Sequence, residues 1–261
     1  MRRASRPTPC SRPFGATTNP RVALVWDARY NLVLKALHGQ AFRAPAFVEQ
    51  YSVNNPVTVG NPQLRLERIQ TSELVFSWQP WNKVQADLTL YRYTMRDIIA
   101  TVTNPAPSTG KTFANAGKQH GRGLELEASW EVLHRPRLSG NFSLQKSTDE
   151  ASGQDAGLAP HRRRFGRADW LPAPAWQLGA TFNHVAGRMR QTGGVRPRIA
   201  DDSTADLSLR RDKALGSWSV RATLLNLFNA DAREPSIAPG SIPFDIALPG
   251  RTLSVQLTHT W

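Results

Sequence analysis

The chain has 261 residues, 33 Lys+Arg against 20 Asp+Glu for a formal charge of +13, and 40% apolar residues with 18 Gly and 19 Pro. That composition suits a folded chain of one or two domains and argues against wholesale disorder. No run approaches the ~18 consecutive apolar residues of a membrane-spanning helix. The single cysteine, Cys10, founds neither a disulfide scaffold nor a cysteine zinc site. A membrane β-barrel stays open, because its strands alternate polar and apolar residues and average out as soluble.

The first twenty residues, MRRASRPTPCSRPFGATTNP, start positive but lack the apolar core of roughly 7–15 residues that an export signal carries. Either the protein is cytoplasmic, or this is a piece of a longer exported chain. Residues 1–19 are read as a disordered or non-native segment and 20–261 as the folded part.

From there the chain reads as strands. Period-two alternation is weak over 21–27, 30–42 and 68–79, and clear at Val84, Ala86, Leu88 and Leu90 against Gln85, Asp87 and Thr89. It is clear again at Leu124, Leu126, Ala128, Trp130 and Val132 against Glu125, Glu127, Ser129 and Glu131. After weaker stretches at 136–147 and 162–171 it recurs at Trp176, Leu178, Ala180 and Phe182. Two further stretches, 203–211 and 217–228, precede the cleanest, Leu253, Val255, Leu257, His259 and Trp261. A helix would scatter these residues around its circumference. The result is about eleven candidate strands, mostly near ten residues long, which suits a tilted membrane strand.

The connections alternate in kind. Short turns fall at Asp27–Tyr30, Gln79–Lys83, His134–Pro136, Leu171–Pro174 and Asp212–Ser217, and long loops at about 43–66, 100–120, 148–161, 188–202 and 229–249. In an antiparallel meander all short turns then share one rim and all long loops the other, as in outer-membrane barrels. The eight tryptophans, Trp26, Trp78, Trp81, Trp130, Trp170, Trp176, Trp218 and Trp261, all lie near a short turn or at the C-terminus. One rim thus carries an interfacial aromatic girdle, where core aromatics of a soluble sandwich would spread along the strands.

The long loops carry a family resemblance. His38-Gly-Gln-Ala-Phe42-Arg43-Ala-Pro45-Ala-Phe47, then Asn55-Pro56-Val-Thr-Val-Gly60-Asn61-Pro62-Gln-Leu64 and Glu67, resemble the "GxAFRAPxF … GNPxLxxE" segment of TonB-dependent outer-membrane receptors. Gly121-Arg-Gly-Leu-Glu-Leu-Glu127 is similar to that family's "GxELE" strand, and Leu225-Asn-Leu-Phe-Asn229 to its "NLFD"; Ser147-Thr-Asp149, a Pro249-Gly-Arg251 turn and the C-terminal aromatic also fit. The resemblance covers nearly the whole chain from about Asn19.

The resemblance implies an all-β, antiparallel transmembrane barrel meander in the Gram-negative outer membrane. This chain would be the C-terminal half of a 22-stranded barrel, incomplete and without its plug. It further implies energy-coupled uptake of a scarce nutrient, with a ferric siderophore as the commonest cargo. Implied partners are outer-membrane lipid, the barrel-assembly machinery acting on Trp261, and a small-molecule or metal-chelate ligand. TonB coupling would belong to the full-length receptor through the missing N-terminal part. Arg43 and Pro45 would fix the exit into the loop, and Asn61 and Pro62 its return, shaping backbone rather than contacting ligand. Glu125, Glu127 and Glu131 would face the lumen, solvated or paired with arginines such as Arg92 or Arg221.

Other chemistries find no footing. The six histidines, at 38, 120, 134, 161, 184 and 259, never fall in an i, i+2 or i+4 pair, so no metal motif is visible. Asp201-Asp202 reads as a solvated turn pair, and no phosphate loop or nucleophile elbow is present. Neither enzymatic activity nor a cofactor is expected. The rival from another class is a basic, soluble nucleic-acid-binding β protein, carried by Arg162-Arg-Arg-Phe165 with Arg167 and Trp170. In the barrel reading that run begins a descending strand at the external rim, solvated and partly paired or else meeting anionic lipopolysaccharide, with no nucleic-acid partner.

Overall fold

The computed structural model describes residues 17–53, 57–105, 110–132, 136–157, 159–190, 196–236 and 244–261. Cys10, Asn55, Pro56 and the turn at His134 lie outside them. In chain order the elements are β1 (Arg21–Arg29), β2 (Leu32–Arg43), α1 (Phe47–Tyr51), β3 (Thr58–Val59), β4 (Glu67–Trp81), β5 (Val84–Thr103), β6 (Lys111–Glu131) and β7 (Arg137–Asp149). They continue with β8 (Pro160–Trp170), β9 (Trp176–Arg188), β10 (Asp202–Leu215), β11 (Trp218–Leu225), β12 (Arg233–Glu234), β13 (Ile246–Ala247) and β14 (Thr252–His259).

One antiparallel meander runs β1-β2-β4-β5-β6-β7-β8-β9-β10-β11-β14, with β3 beside β6 and β12-β13 forming a separate small ladder. The eleven strands of the meander are the eleven expected from alternation. Their lengths differ most in the middle: β5 and β6 run 20 and 21 residues and absorb most of the stretch 100–120 expected as loop. Two features hide them from a periodicity reading. A register shift at Met95–Ile99, with Asp97 at a φ of 56°, breaks the period of two. Beyond it, residues such as Asn115 and Lys111 pair in the ladder without offering an apolar face.

The register sorts side chains onto two faces. One row of cross-strand neighbours reads Trp26, Leu34, Phe76, Leu88, Leu126 and Phe142. Another reads Trp81, Val84, Trp130, Leu138, Ala168, Ala180, Leu207, Leu224 and Leu253. The opposite face carries Glu73, Asp87, Glu125, Glu127, Arg137, Arg167, Arg210 and Arg221, interleaved with serines, threonines and glycines.

Among the described residues no protein layer covers the apolar face. Among the described residues the buried apolar ones other than proline are Leu64, Leu66, Ala186, Ile199 and Ala232, whereas Leu24, Leu74, Leu126, Leu144, Val255 and Leu257 are exposed. Those five belong to the long loops or the strand ends beside them. A sheet of this size with a bare apolar face is stable only in an apolar solvent, so the band is a lipid-facing surface rather than half of a sandwich.

Within the polar face, two tyrosines explain a local glycine pattern. A Cβ on Gly121 would lie 2.4 Å from the Tyr93 ring, and one on Gly123 would lie 2.5 Å from the Tyr91 ring. The Gly-x-Gly spacing at the head of the Leu-Glu-Leu-Glu run therefore makes room for two aromatic rings from β5.

Candidate functional site

Among the described residues, three clusters at the long-loop rim tie loops to strand ends. The first is ionic. Register pairs Arg43, the last residue of β2, with Glu67, the first of β4. The Arg43 guanidinium donates from Nε and Nη2 to the two Glu67 oxygens at 2.5 and 2.8 Å, and from Nη1 and Nη2 to Glu49 at 3.1 Å each. Glu49 also accepts the Ala46 N–H at 2.6 Å, closing the turn into α1. Glu67 is buried and accepts the Ile99 N–H from β5 at 2.7 Å. One arginine thus joins the exit of β2, the helix of the loop and the start of β4.

The loop returns over the projecting β5–β6 hairpin. The Gly60 N–H donates to the Ser52 carbonyl, and the Asn61 N–H to the Glu49 carbonyl, at 2.6 and 2.9 Å. A Cβ on Gly60 would lie 2.6 Å from the Ser52 nitrogen and 2.7 Å from the Gln50 carbonyl, so no side chain fits there. Asn61 donates from Nδ2 to the Phe113 carbonyl at 3.0 Å, and its Oδ1 accepts the Gln63 N–H at 2.9 Å. Pro45 is buried, Phe42 half-buried and Pro62 exposed.

Asn115 supplies the next tie. It accepts the Arg65 N–H at 2.7 Å and donates to the carbonyls of Arg65 and Asp97 at 2.9 and 2.7 Å. The irregular backbone at Asp97 is thereby held by a side chain from β6. Glu49, Asn115 and the Ile99 amide were not singled out from the sequence. Only Glu49 left a trace there, as an acid three residues after Ala46, the cap of a short helix.

The second cluster is neutral. Asn226 follows β11 at a φ of 48° and is 4% exposed. Its Oδ1 accepts the Ala230 N–H at 2.8 Å, its Nδ2 donates to the carbonyls of Ala230 and Pro249 at 2.9 and 3.2 Å, and its own N–H donates to Asp206 at 2.8 Å. Asn229, at a φ of 54°, accepts the Arg251 N–H at 2.9 Å. The Leu-Asn-Leu-Phe-Asn run and the Pro-Gly-Arg turn thus form one knot that closes the last long loop.

The third cluster was missed. Arg188 is 2% exposed and is paired with Asp202 and, at 3.2 Å, with Glu234. Arg190 is paired with Asp245, which Arg196 also approaches at 3.4 Å. Asp201 accepts the Gly187 N–H at 2.9 Å and lies 3.3 Å from Arg198. Asp202, its side chain 11% exposed, is therefore a bound acceptor, a correction to its reading as a solvated turn residue, whereas Asp201 keeps 40% of its side chain in solvent beside its bond to Gly187. A loop charge pairs when a strand end 14 residues away brings an arginine to it, which spacing does not reveal. The Gly187 N–H, foremost, and then the neighbouring cations hold the Asp201 carboxyl below the usual carboxylate range. Arg190 does the same for Asp245.

One expectation about charge pairing changes. Glu125, Glu127 and Glu131 lie on the polar face, but Arg92 pairs in register with Ser72 and Arg122 on the opposite face and cannot reach them. Strand parity forbids it. Among the described residues these three glutamates make no ion pair; Glu131 has Arg137 as its register neighbour.

The tryptophans share one face. Trp26, Trp78, Trp81, Trp130, Trp170, Trp176 and Trp218 all fall on apolar rows, at the short-turn ends of their strands. Trp261 follows β14 and packs edge-on against His259, which itself stacks on Trp218. Arg164 lies over Phe142 and Arg211 over Trp176, so part of the basic run is engaged with the apolar face.

Comparison with known proteins gives a consistent result. Residues 3–227 match the family model described as TonB dependent receptor-like, beta-barrel. The fold is similar to a variant of the ferric enterobactin receptor of Pseudomonas aeruginosa, at TM-score 0.79 and 20% identity over 96% of this chain and 41% of that one. It is also similar to the siderophore receptor PirA of Acinetobacter baumannii (TM-score 0.75, 17% identity, 96% and 42%) and to the copper transporter OprC (0.72, 18%, 93% and 39%). The chain spans about two fifths of the length of these structures.

Proposed function

From the premise that this chain belongs to the TonB-dependent receptor-like β-barrel family of the Gram-negative outer membrane, receptors and transporters rather than enzymes, we propose that it forms the C-terminal part of a receptor barrel for a ferric siderophore. The observation that carries this reading is the long-loop rim, where three bonded clusters hold loops in place above a lipid-facing band. A receptor needs its external loops presented in defined positions, and rigid strand ends supply them. The chain's charge of +13 favours an anionic metal chelate over a cationic solute.

Uptake needs more than these strands. β1 and β14 are the open edges of the meander, and unpaired backbone groups do not sit in hydrocarbon. Further strands must close the barrel, and coupling to TonB runs through a part of the receptor outside this chain. The aligned tryptophans support an interfacial girdle at the short-turn rim, with Trp261 as the terminal aromatic read during assembly. Arg43, Pro45, Gly60, Asn61 and Glu67 shape the loop and do not touch the cargo.

Deleting the whole receptor gene and measuring radioiron uptake from a panel of ferric chelates tests the proposal. Loss of uptake for one anionic chelate, restored by the gene, is the expected result. Undiminished uptake of every ferric chelate, with lost uptake of a different nutrient, would reassign the cargo.

A further inference from the structure

The lipid-facing side changes character abruptly above the apolar band. Leu90, Leu124 and Leu144 are neighbours across β5, β6 and β7. Two residues further along each strand, on the same face, stand Arg92, Arg122 and Lys146, again neighbours in register. Arg96 and Arg68 form a second like-charged cross-strand pair on that face, nearer the long loops. All five side chains belong to exposed residues, and none has an acidic partner within ion-pair distance among the described residues.

Like charges directly opposite on adjacent strands are destabilising. Three in one row, about 4.8 Å apart from strand to strand, form a site waiting for an anion. The surface there is a depression of 770 Å³ whose lining includes Arg92, Arg96, Arg122 and Lys146. Its one acid, Glu150, is already engaged by Lys118 and lies 3.4 Å from His120. Net positive charge therefore remains.

Position identifies the occupant. Trp130 marks the short-turn border of the band on β6, and Arg122 stands eight residues away on the same face. That is about 27 Å along the strand and about 20 Å along the membrane normal at the usual tilt, close to the ~25 Å height of an apolar band. The cations thus sit at head-group depth in the outer leaflet, with their apolar stems against lipid chains and their charges above. A soluble polyanion approaching this face would meet lipid first. We propose that Arg92, Arg122 and Lys146, flanked by Arg68 and Arg96, bind the phosphate groups of an anionic glycolipid of the outer leaflet.

The inference rests on the barrel lying in the membrane and is independent of the cargo. Its test uses the full-length receptor that contains this chain, reconstituted in phosphatidylcholine vesicles doped with bisphosphorylated lipid A, with capture read as lipid A co-isolated with protein after detergent extraction. Replacing all three central cations (Arg92→Gln, Arg122→Gln, Lys146→Gln) is expected to weaken capture by at least about tenfold, since each basic residue near a charged membrane surface contributes about fivefold. The charge-keeping set R92K/R122K is expected to retain capture, and Arg163→Gln on the polar face to leave it unchanged.

Undiminished capture by the triple variant would overturn the proposal, as would equal loss in Arg163→Gln. So would inorganic phosphate displacing lipid A at comparable concentration, which would mark a site for free anions. Membrane partition of each variant is read in parallel. A parent receptor that stays out of the vesicles would overturn the barrel reading and this inference with it.

Discussion

The clasp at Arg43 and the clasp at Asn226 perform the same task with opposite chemistry. Each ties the end of a strand to the far side of a long loop. The first uses a guanidinium shared between two carboxylates, the second a neutral amide that meets three backbone groups of its own loop. The ionic clasp gains from charge-assisted bonds but leaves a buried carboxylate in danger if its arginine is lost. The amide clasp carries no such liability, yet it depends on a left-handed backbone that few residues other than Asn and Gly tolerate. Ionic clasps should therefore respond to charge and pH, and the amide clasp to shape.

The strongest test of that contrast is Asn226→Ala. The change orphans the Ala230 N–H and two carbonyls and places alanine at a φ of 48°, for an expected loss of about 3 kcal/mol. Hydrogen exchange should show it locally, as lost protection of the amides of Ala230 and Leu248 with the β4–β6 amides unaffected. Asn226→Asp, which keeps the acceptor and loses the donor, should fall between.

Arg43→Ala comes next. Glu67 would keep only the Ile99 N–H, and about 2 kcal/mol of loop stability should go, less than for a fully buried pair because the Arg43 side chain is 47% exposed. Arg43→Lys should not restore it, because one ammonium cannot present the fork that serves Glu67 and Glu49 together. Proteolysis within 44–66 measures the effect, and a cycle with Glu67→Gln gives the coupling. Wild-type protease resistance in Arg43→Ala would show that Asn61 and Asn115 suffice to hold the loop.

How much of this was legible follows from what each element asks of its neighbours in sequence. The meander was readable because one face of every strand meets lipid, and alternation survives wherever the band runs, as at Leu253, Val255 and Leu257. It failed above the band, where both faces of β5 and β6 meet water and Asn115 or Lys118 serves as well as Val. The motif residues Arg43, Gly60, Asn61 and Glu67 were visible as a set, but their partners Glu49, Ile99 and Asn115 were not. Those contacts exist only once β2, β4 and the β5–β6 hairpin lie side by side. The Arg188 cluster left no trace because its acids, Asp202 and Glu234, stand on either side of an intervening hairpin.

Asn229→Ala tests the amide clasp at its weaker member. The single bond from the Arg251 N–H is lost and a left-handed residue again lacks its side-chain support, for about 1 kcal/mol. Asn229→Gly, which accepts the backbone for free, should recover the strain but not the bond. The readout is exchange at the Arg251 amide, which should rise in both variants; protection retained in either would mean that Gly250 and the turn hold β14 unaided.

The smallest effect is the one that pH alone should produce, and it falls on ionic loops only. Arg190 lowers the pKa of the Asp245 carboxyl in the folded protein, so the unfolded chain binds the proton more readily. The stabilisation is fully present above the ordinary aspartate pKa of about 3.9 and is lost as pH falls through the lower, folded value. Amides of the β12–β13 ladder, which Asp245 adjoins, should lose protection in that acid window once intrinsic exchange rates are divided out. The Ala230 amide, whose acceptor is the neutral Asn226 side chain, should show no such step. A matching step at Ala230 would mean that Asp206, which accepts the Asn226 N–H, makes the amide clasp ionic after all.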